Sequence, residues 1–152
     1  TRYQHSAVVY GGKIYLFGGL NLLGTGSVFL NVEIYDIEND SWTTLANSLV
    51  QRRFGTASIF EGRAYLIGGF NRNTDDGTPA TIDIFDLETN EFLSSDLLDT
   101  QMGGLQRSTH AAAAYNGKIY VFGGQTNSNS VVTNILEEYT PKSLISPGLK
   151  NF

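Results

Sequence analysis

Tyr10-Gly11-Gly12-Lys13-Ile14-Tyr15-Leu16-Phe17-Gly18-Gly19 decides the fold, because the chain contains it three times. Phe60-Glu61-Gly62-Arg63-Ala64-Tyr65-Leu66-Ile67-Gly68-Gly69 and Tyr115-Asn116-Gly117-Lys118-Ile119-Tyr120-Val121-Phe122-Gly123-Gly124 align with it without gaps. The closing glycine pairs recur after 50 and then 55 residues, a period typical of stacked repeat units. Within each copy, Gly11-Gly12, Glu61-Gly62 or Asn116-Gly117 suits a two-residue hairpin between two strands. The strand after the turn is apolar at both parities, with Ile14 and Leu16 on one face and Tyr15 and Phe17 on the other. A sheet buried on one face alternates with polar residues, so this strand expects cover on both sides. The glycine pair that closes it expects positive φ or tight backbone approach where units converge.

Working outward, the flanks repeat too. Arg2, Arg52 and Arg107 precede Ser6-Ala7-Val8-Val9, Thr56-Ala57-Ser58-Ile59 and Ala111 to Ala114. Downstream, Val32-Glu33-Ile34-Tyr35-Asp36 matches Ile82-Asp83-Ile84-Phe85-Asp86, and more loosely Leu136-Glu137-Glu138-Tyr139-Thr140. Trp42 and Phe92 each stand seven residues after the aromatic of the third strand, and the third copy has no counterpart. Each unit therefore reads as four short strands, near residues 6–10, 13–18, 31–36 and 41–45 of the first copy, repeated in register with almost no helix.

A glycine pair, then a Tyr and a Trp at fixed offsets, resembles the kelch repeat over residues 2 to 140. The resemblance implies an all-β, kelch-type β-propeller with three four-stranded antiparallel blades in one partial propeller spanning 1–152. Repeat 1 covers 2–51, repeat 2 covers 52–106, an incomplete repeat 3 covers 107–140, and 141–152 form a tail. Phe85 for Tyr, Phe92 for Trp and the missing fourth strand of repeat 3 depart from the pattern. Propellers close with about 4–8 blades, so three units expect company. Further kelch blades from a longer parent chain are the favoured expectation, and a second copy completing a six-bladed ring is the other. Alone, an arc with two bare apolar faces expects to self-associate or aggregate.

Composition excludes several classes. Of 152 residues, 41% are apolar and 16% charged, and the net charge of −5 is spread along the chain. No basic stripe is present to neutralise phosphates, which argues against nucleic acid. No apolar run reaches the roughly 20 residues that span a bilayer. The absence of Cys removes disulfides, thiolate metal sites and a cysteine nucleophile. It leaves the compartment open.

Strand parity places the connections from strand two to three, and from strand four to the next unit, on one rim. Those are the long segments, 20–30, 70–80, 125–132 and 93–106, whereas the opposite rim has only short turns. Binding residues concentrate where loops vary over a fixed scaffold, so the long-loop rim is the expected binding surface. In kelch adaptor proteins the matching positions contact an acidic peptide. The resemblance therefore implies partner-binding roles for Arg2, Arg52, Arg107, Leu20, Phe70, Arg72, Gln125 and Asn127. An arginine fork donates two parallel hydrogen bonds to a carboxylate, but an arginine recurring once per repeat equally fits a brace between strands.

His5 and His110 occupy one register position, filled by Gly55 in the middle copy, which favours a structural role over catalysis. Glu33, Asp83 and Glu137, also in register, read as packing and turn residues rather than an acid–base pair. Asn71 to Gly77 has alternating oxygen ligands, but its Gly is one place late for a calcium loop and Ile82 stands where Glu is needed. No metal or cofactor is expected. The favoured function is a protein-recognition scaffold binding a protein or peptide, acidic ones included, rather than an enzyme. The alternative is the propeller part of a secreted or periplasmic carbohydrate-active protein, of the sialic-acid-processing kind.

Overall fold

The computed structural model describes residues 1–21, 28–46, 52–70, 82–93, 107–126 and 131–142. Among the described residues every regular element is a strand. The first repeat contains β1 (Arg2–Tyr3), β2 (Ser6–Tyr10), β3 (Lys13–Phe17), β4 (Leu20–Asn21), β5 (Val32–Asp36) and β6 (Ser41–Leu45). The second contains β7 (Thr56–Phe60), β8 (Arg63–Ile67), β9 (Ile82–Asp86) and β10 (Glu91–Phe92). The third contains β11 (Arg107–Ser108), β12 (Ala111–Tyr115), β13 (Lys118–Phe122), β14 (Gln125–Thr126), β15 (Val131–Val132) and β16 (Leu136–Tyr139).

Three antiparallel meanders result: β2-β3-β5-β6, β7-β8-β9-β10 and β12-β13-β16. Their registers are the same, since Val8 faces Tyr15, Ser58 faces Tyr65 and Ala113 faces Tyr120. The second strand ends one residue before the expected 18. Gly18 turns to φ +64, and its counterparts Gly68 and Gly123 do the same. The equivalents of Thr43 to Leu45 in the second sheet fall partly outside the described residues.

Neighbouring sheets approach most closely along their first strands, β2, β7 and β12. In the second sheet both parities of the second strand are covered, because a neighbouring sheet stacks on each face. Val8, Tyr15, Phe17, Val32 and Ile34 of the first pack on Ala64, Leu66, Phe85 and Leu87 of the second. Tyr65, Ile67, Ile82 and Ile84 then pack from the second sheet's other face on Ile119 and Val121 of the third. The Phe17 and Phe85 rings meet edge-on, centroids 5.3 Å apart, the arrangement their quadrupoles favour. Burying a large apolar side chain contributes about 1.5–3 kcal/mol, so these two layers dominate the stability of the arc.

The glycine pairs sit at the joints. Gly19 N–H donates to the Arg52 carbonyl at 3.0 Å, and Gly69 N–H to that of Arg107 at 2.9 Å. A β-carbon on Gly18 would stand 2.1 Å from Arg52 O, and one on Gly68 2.3 Å from Arg107 O. A second backbone series runs alongside, with Phe54 N–H donating to Gln4 O and Thr109 N–H to Phe54 O. All three residues have positive φ.

Candidate functional site: the long-loop rim

Short ladders mark one end of the sheets. β1 pairs with β4, joining Tyr3 to Leu20, and β11 pairs with β14, joining Ser108 to Gln125. In the middle repeat a single bridge joins Arg53 to Phe70. Each ladder ties the entry of a first strand to the exit of a second, so both connections emerge on the same rim. The opposite rim carries tight turns, where Asp36 accepts from Asn39 N–H, and Asp86 from the N–H groups of Glu88 and Thr89. Depression of the Asp36 carboxyl follows first from its bond with the Asn39 backbone.

Beneath the rim lie the three repeated arginines. Arg2 donates to Gly18 O at 2.9 Å and pairs with Glu33 at 3.1 Å. Arg52 donates to Gly68 O at 2.5 Å and pairs with Asp83 at 2.8 Å. Arg107 donates to Gly123 O at 3.2 Å and pairs with Glu137 at 2.7 Å. One guanidinium thus ties together the start of strand one, the end of strand two and the start of strand three. Arg52 is 3% exposed and Arg107 0%. Burial lowers the Arg2 pKa, and Glu33 acts in the opposite sense. Such groups hold the platform of the rim. Their charge is already met by a carboxylate.

Arg53 is different. Its guanidinium stacks over Phe54 at 5.4 Å and over Phe70 at 4.8 Å, and among the described residues no carboxylate pairs with it. Its backbone is locked by reciprocal hydrogen bonds with Phe70, at 3.1 and 2.7 Å. The backbone anchor and the two rings thereby hold the half-buried guanidinium on the rim. Register reasoning passed over Arg53 because Arg52 fills the repeated position. The available signal was Arg52-Arg53, where the other copies read Arg2-Tyr3 and Arg107-Ser108.

The other expected site residues divide. Phe70 and Gln125 are half-buried on the rim, whereas Leu20 is buried under it. Arg72 and Asn127 lie outside the described residues, as does the Asn71 to Gly77 loop. Among the described residues no three His, Asp or Glu side chains gather as a metal site, and no helix is long and apolar enough to cross a membrane.

The register histidines separate as well. His110 is buried between the second and third sheets, its Nε2 2.8 Å from Thr56 Oγ1. Burial first, then Arg107 and Arg52, push its pKa down to about 4, so the imidazole is neutral at pH 7. His5, at the open edge of the first sheet, is exposed.

A family model, the KLHDC2/KLHL20/DRC7 Kelch-repeats domain, matches residues 4–144. Among solved structures, one described as the structure of YjhT is 18% identical, with a TM-score of 0.73. The alignment covers 96% of this chain and 53% of that one, so the chain spans about half the length of that relative. No curated protein matches the sequence significantly.

Proposed function

Because the chain belongs to the kelch-repeat family, we propose that it is a protein-recognition module whose partner docks on the long-loop rim. Kelch domains generally mediate protein interactions, and the observation that carries the finer reading is Arg53. It is a cation on the rim, gripped by Phe54 and Phe70, which no repeat-wide bracing role explains. A carboxylate meeting it would form a charge-assisted hydrogen bond, contributing about 1.5–3 kcal/mol when water is excluded. Phe70 offers an apolar contact beside it, and Gln125 an amide on the next blade. Arg2, Arg52 and Arg107 support this surface from below. The partner class that fits is an acidic loop or peptide.

A peptide-display selection against the immobilised protein tests this. Enriched peptides should carry Asp or Glu, and should bind Arg53→Ala and Phe70→Ala variants about tenfold more weakly. Equal binding to those variants and to the parent would refute the rim assignment.

A further inference from the structure

Phe54 holds a backbone conformation that its side chain disfavours. Its φ is +57, in the left-handed region where a bulky residue with a β-carbon is an outlier. The repeat imposes that conformation. Gln4, Phe54 and Thr109 share one register position, with φ of 59, 57 and 54. Phe54 N–H donates to Gln4 O at 3.0 Å, and Thr109 N–H to Phe54 O at 2.9 Å. The series needs this backbone and not an aromatic ring, since Gln and Thr fill the position in the other copies. Thr109 offsets the strain locally, its hydroxyl donating to Ser108 O at 2.7 Å. A phenyl ring has no polar group with which to do so.

The ring meets Arg53 instead. Arg53 stands directly opposite Phe70 in the bridge of the middle repeat, so those two side chains share a face. In extended backbone the next side chain would point to the other face. The left-handed turn at Phe54 brings its ring round to the same guanidinium, 5.4 Å from the centroid, while Phe70 lies 4.8 Å away. The matching pairs Tyr3-Gln4 and Ser108-Thr109 contain no cation, so this arrangement belongs to the middle copy.

We propose that Phe54 is a positioning residue for recognition, whose strained turn completes a two-ring clamp that sets the Arg53 fork for a carboxylate of the partner. This role rests on the rim as the docking surface. A guanidinium already held in place loses less side-chain freedom when it forms two parallel hydrogen bonds. The group it fits is planar and bidentate, as in an Asp or Glu side chain. Strain kept at such a place serves the site rather than the fold.

Two variants that both lack the ring separate strain from contact. At an ordinary position Ala is more stable than Gly. At a left-handed position the order reverses, because only Ala carries the offending β-carbon. Urea unfolding should therefore give Phe54→Gly a higher midpoint than Phe54→Ala. Both, measured while folded, should bind an acidic peptide selected against the parent about tenfold more weakly. Phe54→Tyr keeps the ring and should restore binding. A Phe54→Ala midpoint at or above that of Phe54→Gly would overturn the proposal, and so would Phe54→Tyr binding as poorly as Phe54→Ala. Normal binding by both ring-less variants while Arg53→Ala is weakened would overturn it and leave the rim reading standing. Normal binding by Arg53→Ala, or a selection that enriches no acidic peptide, would refute the rim reading and this role with it.

Discussion

The carbonyl oxygen of Arg107 lies 2.3 Å from the point that a β-carbon on Gly68 would occupy, and it accepts the N–H of the adjacent Gly69 at 2.9 Å. One peptide group of the third sheet is seated on two glycines of the second. No side chain fits between them without separating the blades. Gly68→Ala is therefore expected to lower stability by about 3–5 kcal/mol, combining positive-φ strain with backbone displacement. Gly117→Ala isolates the first effect, since Gly117 has φ +78 and nothing within 4 Å of its β-carbon position. It should cost only about 1–2 kcal/mol. Urea unfolding of the two variants checks the difference, and equal losses would refute the close-contact account.

Arg107 is enclosed and paired with Glu137 at 2.7 Å. Removing one partner of such a pair leaves the other uncompensated, at a typical cost of about 3–5 kcal/mol. Because Glu137 is only partly buried, the expectation for Arg107→Met falls at the low end of that range. Thermal denaturation should show a clear drop in Tm. A variant as stable as the parent would mean that the arginine does not brace the blade.

Much of this was legible in the sequence, because the repeat supplies its own alignment. Three copies of the hairpin and glycine pair locate the strands, and the double-sided apolar pattern of Ile14 to Phe17 requires neighbouring sheets. The short rim ladders, such as Tyr3 with Leu20, were not legible, since two-residue strands have no periodicity to read. Nor was the split between Arg52 and Arg53. Sequence alone shows two adjacent cations, and only the geometry shows one paired with Asp83 and the other stacked on Phe70. His5 and His110 share a register position but not an environment, because burial depends on whether a preceding blade is present.

The buried His110 gives the fold a pH dependence of definite sign. Its folded-state pKa of about 4 lies below the ordinary 6.5, so the unfolded chain binds the proton more readily between those values. The contribution to stability is complete above pH 6.5 and is lost as pH falls toward 4. His5, exposed overall but lowered first by partial desolvation of its ring, acts in the same direction, so the readout is a difference between proteins. Between pH 7 and 4.5, the urea midpoint of the parent should fall more steeply than that of His110→Gln. Parallel slopes would show that His110 is not responsible.

The most direct test of the central claim measures affinity and stability on the same three variants, using an acidic peptide selected against the parent protein. Arg53→Ala should unfold within about 2 kcal/mol of the parent, the scale of a partly desolvated cation–π contact, yet bind the peptide about tenfold more weakly. Arg107→Ala should unfold early, and Glu91→Ala, on the opposite rim, should change neither quantity. If Arg53→Ala binds as well as the parent, or Glu91→Ala weakens binding as much as Arg53→Ala, the long-loop rim is not the recognition surface.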